Sequence, residues 1–213
     1  NFLNFQISQQ AQMVAKSYVD KVINIYCVAT IEGGFVAGYT YLPGSGEPDI
    51  IVMDDGVVNT TTLTHEMGHF FGLLHTHGSE NCASVLPATN ELVNGSNCSS
   101  AGDFICDTPA DPGLLGAGCL QSQVSEACAY IGTSRDAQNQ PFAPDTRNIM
   151  SYARSTCRTR LSAGQYARIF STYKQFRTYL KCSPTSACSR PRTRPKSPGC
   201  ASSSLPCGPS SGG

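Results

Sequence analysis

Between residues 7 and 22 apolar side chains recur every three or four positions, at Ile7, Ala11, Val14, Tyr18 and Val22, the period of one helix face. The period then shortens. Residues 23–31 (INIYCVATI) form a β-rich apolar run, residues 35–42 (FVAGYTYL) alternate more, and residues 48–53 lead into an acidic turn, Asp54-Asp55-Gly56, so three short strands are predicted. Thr60, Thr61 and Thr62 offer N-caps for a second helix that should reach about Leu74. From His77 to Asn148 the chain is dominated by Gly, Pro, Asn, Ser and Asp, punctuated by Cys82, Cys98, Cys106, Cys119 and Cys128. Loops of that length need staples or bound ions. Residues 162–180 put Tyr166, Ile169, Phe170, Tyr173, Phe176 and Leu180 on one side and predict a closing amphipathic helix. After Lys181 the composition shifts to Ser, Pro, Gly and Arg with four more cysteines, which cannot bury a core and reads as a linker or disordered end.

Composition narrows the functional classes. The chain has 213 residues, enough for one domain plus a tail, and 40% hydrophobic content suits a packed core. Fifteen basic residues cancel fifteen acidic ones, and 14% of positions are charged, so there is no electrostatic footprint for nucleic acid or an anionic membrane, and neither is expected as a partner. The chain starts at Asn1 without a charged-then-apolar leader, as expected of a processed form or a fragment. Eleven cysteines point to an oxidising compartment and hence to a secreted, extracellular protein. No CxxC pair supports a cysteine-rich second metal site.

All four histidines, His65, His69, His75 and His77, lie within thirteen residues. His65 and His69 are four apart, so on a helix their imidazoles share a face and can converge on one ion. Gly72 can adopt a backbone conformation closed to other residues, letting the helix stop and the chain bend back to deliver His75 as a third ligand. Zinc held by three neutral imidazoles keeps a position open for water and lowers that water's pKa from 15.7 to about 7 in the best-known case. Glu66, beside the ligands, is placed to take the proton as water attacks a peptide carbonyl and to pass it to the leaving nitrogen. HExxH alone is moderate evidence, and Gly72 and His75 at fixed offsets cut the accidental rate by about 400-fold. His77, two residues past the third ligand, reads as a loop or supporting histidine.

The string H-E-x-x-H-x-x-G-x-x-H, followed 75 residues after His75 by Met150 within Asn148-Ile149-Met150-Ser151-Tyr152, resembles the metzincin zinc metalloproteases. More narrowly, HEMGHFFGLLHTH, GDFICDTPADP from Gly102, NIMSY and LSAGQYARI resemble the pappalysin and cytophagalysin branch over about residues 23–180. The resemblance implies zinc on His65, His69 and His75, Glu66 as general base, Met150 as the floor of a methionine turn, and Tyr152 as a phenol that steadies the oxyanion. It suggests disulfides Cys98–Cys128 and Cys119–Cys157, although sequence alone allows many pairings. It also suggests calcium near Asp103, Asp107 and Thr108, whose oxygens suit a hard cation. Two departures stand out. Branch members that cleave beside Arg or Lys carry an acid immediately before the cysteine matched by Cys157, where this chain has Thr156, so a substrate pocket there should show little basic preference. Relatives also have more sheet before the strand matching residues 23–28, where only 22 residues precede it here, so an N-terminal truncation is one reading.

The expected fold class is α+β: a metzincin-like catalytic domain over residues 1–181, with a small twisted mixed sheet and helices (1–75) above an irregular disulfide-stapled lower part (76–181), then a tail over 182–213. The segment from Val36 to Leu42 should be the edge strand, to which an extended protein or peptide substrate could add. The expected function is that of a secreted zinc endopeptidase. An inactive zinc-containing binding module or truncated fragment, and a zinc hydrolase of non-peptide amides, remain open, and oligomeric state is not encoded legibly.

Overall fold

The computed structural model describes residues 3–78, 89–114 and 123–181. Its sheet has three strands in the order β1-β3-β2, with β1 (Asn24–Val28) parallel to β3 (Ile50–Asp54) and β2 (Gly38–Thr40) antiparallel to it. The central strand is apolar from Ile50 to Met53 because both its faces are covered there. Ile50 and Val52 face a cluster with Phe5, Met13, Val28 and Ile31, whereas Ile51 and Met53 face Phe70. Among the described residues β2 pairs only with β3, so it is an edge strand, shorter than its alternating sequence suggests.

The first helix departs from its predicted extent and face. A 3-10 turn at Ile7–Gln9 leads into α1, Gln10–Ser17, which ends five residues before Val22. Asn24 explains the early stop: its side-chain oxygen accepts from the Val19 N–H at 2.8 Å, and its amide donates to the Val19 carbonyl at 2.8 Å, capturing backbone groups that a helix would have paired. The buried face holds Gln10 and Met13, while Ile7, Tyr18 and Val22 are exposed. Gln10 is tolerated inside because Tyr39 donates its hydroxyl to the Gln10 Oε1 at 2.9 Å.

α2, Thr61–Phe70, begins at Thr60, whose hydroxyl oxygen accepts from the Thr62 N–H. It closes before the predicted Leu74. Gly72 stands at φ +82°, the Gly72 N–H donates to the His69 carbonyl at 2.8 Å, and the Leu73 N–H reaches the Gly68 carbonyl at 2.9 Å. This pair of bonds is the Schellman closure, which needs a left-handed residue where glycine stands. α3, Ala163–Phe176, carries a complete Ser162/Gln165 capping box. Its predicted apolar face is rotated: Tyr166, Phe170 and Phe176 are exposed, whereas Gln165 and Thr172 are buried. Gln165 pairs with Asn148, and Thr172 packs on Gly72, where an added Cβ would come within 2.7 Å of the Thr172 hydroxyl.

Below α2 the described chain forms isolated bridges and a small core of Leu114, Val124, Ala153 and Cys157. Carboxylates stand in for backbone pairing there. Asp136 alone accepts from the N–H groups of Val93, Gln138 and Gln140 at 2.8–2.9 Å. All five described cysteines, Cys27, Cys98, Cys106, Cys128 and Cys157, are disulfide-bonded. The pairing corrects the expectation. Cys98 joins Cys106 across 4.9 Å between Cα atoms, and Cys128 joins Cys157 across 5.5 Å, both within bridging range. A sulfur bonds one partner, so Cys98–Cys128 and Cys119–Cys157 are excluded by these bridges. Cys119 itself and the tail 182–213 lie outside the described residues.

Candidate metal centre

The Schellman closure of α2 turns the chain so that His75 comes back over His65 and His69. The Nε2 atom of His69 lies 3.1 Å from that of His65 and 3.0 Å from that of His75. The ring orientation is set from behind: His65 donates its Nδ1–H to the Ile149 carbonyl and His69 to the Leu73 carbonyl, each at 2.8 Å. With those protons placed, the Nε2 atoms of these two rings carry bare lone pairs facing the third ring. Two lone pairs directed at the Nε2 of His75 over that separation suit a cation seated among the three rings. Zinc–nitrogen bonds of about 2.0–2.1 Å in a tetrahedron put ligand nitrogens roughly 3.3 Å apart, which fits this donor set. Burial pulls His65 down to about 3, with the charge of His69 adding, and it lowers His69 and His75 as well, so all three rings are held neutral, the form a metal requires.

His77 is outside this convergent group. It is buried and stacks on His75 at 5.1 Å with 5° between the planes, and Tyr152 lies 4.5 Å from the His75 ring. Burial, then the charge of Glu66, pushes the Tyr152 phenol up to about 12, so it is a proton donor at neutral pH.

Glu66 is buried, and burial pushes its carboxyl up to about 7, with the Arg158 guanidinium pulling it back down. It sits under the edge strand: a Cβ on Gly38 would approach the Glu66 Cγ to 3.2 Å and the Met53 Sδ to 2.8 Å. A glycine inside a strand is the sequence signal of such a close approach. Gly68 plays the same part toward Met150, since a Cβ there would collide with the Met150 Sδ. Neither glycine was singled out from the sequence.

Met150 is fully buried with Leu73 and Ile105. The turn around it reaches two of the histidines, for the Ile149 carbonyl holds His65 and the Met150 carbonyl accepts from the Thr76 N–H at 3.1 Å, next to His75. Asn148 fixes the turn to α3 through a reciprocal amide pair with Gln165 at 2.9 and 3.2 Å, while its Oδ1 also accepts from the Met150 N–H at 2.9 Å. Gly72, far from being only a helix terminator, lets α3 pack against the end of α2.

The acidic stretch divides. Asp103 is buried: its Oδ1 accepts from the Ile105 N–H and the Thr108 hydroxyl, while its Oδ2 has no hydrogen-bond partner. Asp107 points elsewhere, its two oxygens accepting from the Ser162 hydroxyl and the Gly164 N–H at the start of α3, each at 2.7 Å. The acid facing Asp103 is Glu91, buried, with Oε2 also unpartnered. Burial followed by the charges of Asp103 and Asp111 pushes Glu91 up to about 8. Thr156 is exposed beside the buried Cys157.

The fold thus brings together three histidines that could hold a metal ion, with a buried glutamate on the helix that carries two of them. The chain is similar to extracellular metalloproteases: that of Pyricularia oryzae is 30% identical over 172 residues, covering 74% of this chain and 50% of that protein. That of Colletotrichum graminicola is 29% identical over 172 residues, covering 73% and 50%. The chain therefore spans about half the length of the curated relatives it matches. No protein-family model matches. Among solved structures, mirolysin in complex with compound 9 shares the fold with a TM-score of 0.53 and 19% identity, over 83% of this chain and 65% of that one.

Proposed function

We propose that this chain is the catalytic domain of a secreted zinc endopeptidase of the metzincin class, pappalysin-like in branch, with residues 1–181 as the catalytic unit. The observation that carries the reading is the convergence of three neutral imidazoles beside buried Glu66, two of them on the same helix as the glutamate, directly under the edge strand. Zinc bound by His65, His69 and His75 would supply Lewis acidity to a water and to a peptide carbonyl. Glu66 takes a proton from water and delivers it to the departing amine. An extended peptide adds to β2 by main-chain hydrogen bonds, and Gly38 brings that strand down to the glutamate. Tyr152, protonated at neutral pH, donates to the oxygen on which negative charge develops. Met150 floors the site and transmits its position through Ile149 to His65. The extracellular names of the relatives, the disulfides and the lack, among the described residues, of any helix long and apolar enough to cross a membrane support secretion.

Calcium is proposed as a second ion, held between Asp103 and Glu91, whose unpartnered buried oxygens need a cation. Thr108 orients Asp103, and Asp107 serves α3 instead.

The test is digestion of an unfolded protein by zinc-loaded material, read by mass spectrometry. Glu66→Gln should lower kcat by about 10²- to 10⁴-fold while the metal content stays at one zinc per chain. Zinc-loaded wild type that cuts nothing, or a Glu66→Gln variant as active as wild type, would overturn the reading.

A further inference from the structure

Arg158 is the charged side chain at the centre that the proposed reaction leaves without a task. The segment carrying it runs beside α2: the Thr61 hydroxyl donates to the Ser155 carbonyl at 3.1 Å, Cys157 is anchored in the lower core, and Arg158 reaches His65 one turn further along. After it, the N–H groups of Thr159 and Arg160 return the chain to the Arg147 carbonyl, at the foot of the methionine turn. Arg158 is therefore held on the wall between the ligand helix and the post-methionine loop, with Thr156 exposed next to it.

Among the described residues its guanidinium has no counter-ion. The Arg158 Nη1 lies 3.3 Å from the His65 Nδ1, but that nitrogen's proton already goes to the Ile149 carbonyl at 2.8 Å, so two donors face each other and no hydrogen bond forms. The Arg158 Nε is buried without a partner, and among the described residues Arg158 forms no ion pair. Arg177 shows the contrast: equally cationic and more buried, it is paired with Asp49 at 2.6 Å and donates to the Phe70 carbonyl. An unpaired, half-buried guanidinium is costly unless something anionic arrives. Glu66 and Tyr152 feel its charge, yet Glu66 forms no ion pair with it. A dication in the histidine site would make the surroundings more positive still.

We propose that Arg158 is a specificity-determining residue that receives an acidic substrate side chain beside the scissile bond. The inference rests on the peptidase reading of the same site and goes further, since the neutral Thr156 predicts only that a basic preference is absent. A guanidinium matches a carboxylate with paired, planar hydrogen bonds, so Asp and Glu are favoured, Gln is accepted weakly and Lys or Arg is rejected.

The experiment compares three peptides that differ only in Glu, Gln or Lys next to the scissile bond. kcat/KM is measured for wild type, Arg158→Gln, Arg158→Lys and Arg158→Glu. Wild type should prefer Glu over Gln by on the order of tenfold, as one charge-assisted contact provides. Arg158→Gln should level the two, Arg158→Lys should keep the order, and Arg158→Glu should favour the lysine peptide. Binding of the same peptides to zinc-loaded Glu66→Gln protein, read by fluorescence anisotropy, gives the ranking without turnover. Equal use of Glu and Gln peptides by wild type, or an acid preference that survives in Arg158→Gln, overturns the assignment. If no peptide is cut but the acidic one still binds preferentially through Arg158, the peptidase reading falls and the recognition stands.

Discussion

The two halves that meet at the histidines hold their shape by different means. Above, a strand ladder and α2 close over apolar side chains: Ile50, Ile51, Val52, Met53 and Phe70 are fully buried, and backbone groups satisfy one another. Below, regular pairing among the described residues is confined to isolated bridges, and order comes from disulfides, from carboxylates such as Asp136 that gather backbone N–H groups, and from buried acids. The upper half carries two of the three grouped histidines on one helix. The lower half supplies the floor and the wall, and it depends on covalent and ionic links that the surroundings can remove.

Breaking those links should test the contrast, starting with the strongest. Replacing Cys128 and Cys157 by Ser removes a bridge with a separation of 29 residues, which chain entropy values at about 3.5 kcal/mol, against about 2.5 kcal/mol for Cys98 and Cys106 with a separation of 8. Denaturant unfolding of the two double variants should reproduce that order, and equal losses would mean that the short bridge holds more than its own loop. Asn148→Ala leaves buried Gln165 without its amide partner and should cost about 1–3 kcal/mol. Because the same side chain fixes the turn behind His65, zinc affinity in a competition titration should also fall, by about 10- to 100-fold.

The buried acids predict a pH signature for the lower half. Glu91 is raised to about 8 and Asp103 to about 6, from ordinary values of 4.5 and 3.8. Without calcium the folded protein therefore retains protons that the unfolded chain releases, and stability should fall as pH rises from about 4 to about 8. Calcium at the proposed site would favour the ionised acids, so the Tm gain on adding it, with zinc present throughout, should be larger at pH 7.5 than at pH 5. A gain that does not depend on pH, or that survives in Glu91→Gln, would remove Glu91 from the ion site. The smallest effect belongs above: Thr60→Ala removes the α2 cap and should cost about 1 kcal/mol, read by denaturant unfolding, with zinc affinity nearly unchanged.

The grouping of the histidines was legible because α2 enforces its own geometry. A four-residue spacing places His65 and His69 on one face wherever the helix lies, and Gly72 can take the positive φ that turns the chain back. The strands showed through their β-rich runs for a similar local reason. What failed to show was set by partners distant in sequence. The buried faces of α1 and α3 were misread because Gln10 and Gln165 are satisfied inside by Tyr39 and Asn148, and polarity alone cannot announce a partner far along the chain. The disulfide pairing, the diversion of Asp107 to α3, the facing of Glu91 and Asp103, and the unpaired state of Arg158 likewise depend on which loops meet. Short-range periodicity and glycine stereochemistry determined the convergence of the histidine string from the sequence by itself. Only the tertiary structure decided how its walls are stapled and charged, because disulfides, buried acids and cations take their meaning from neighbours that folding alone brings within a few ångströms.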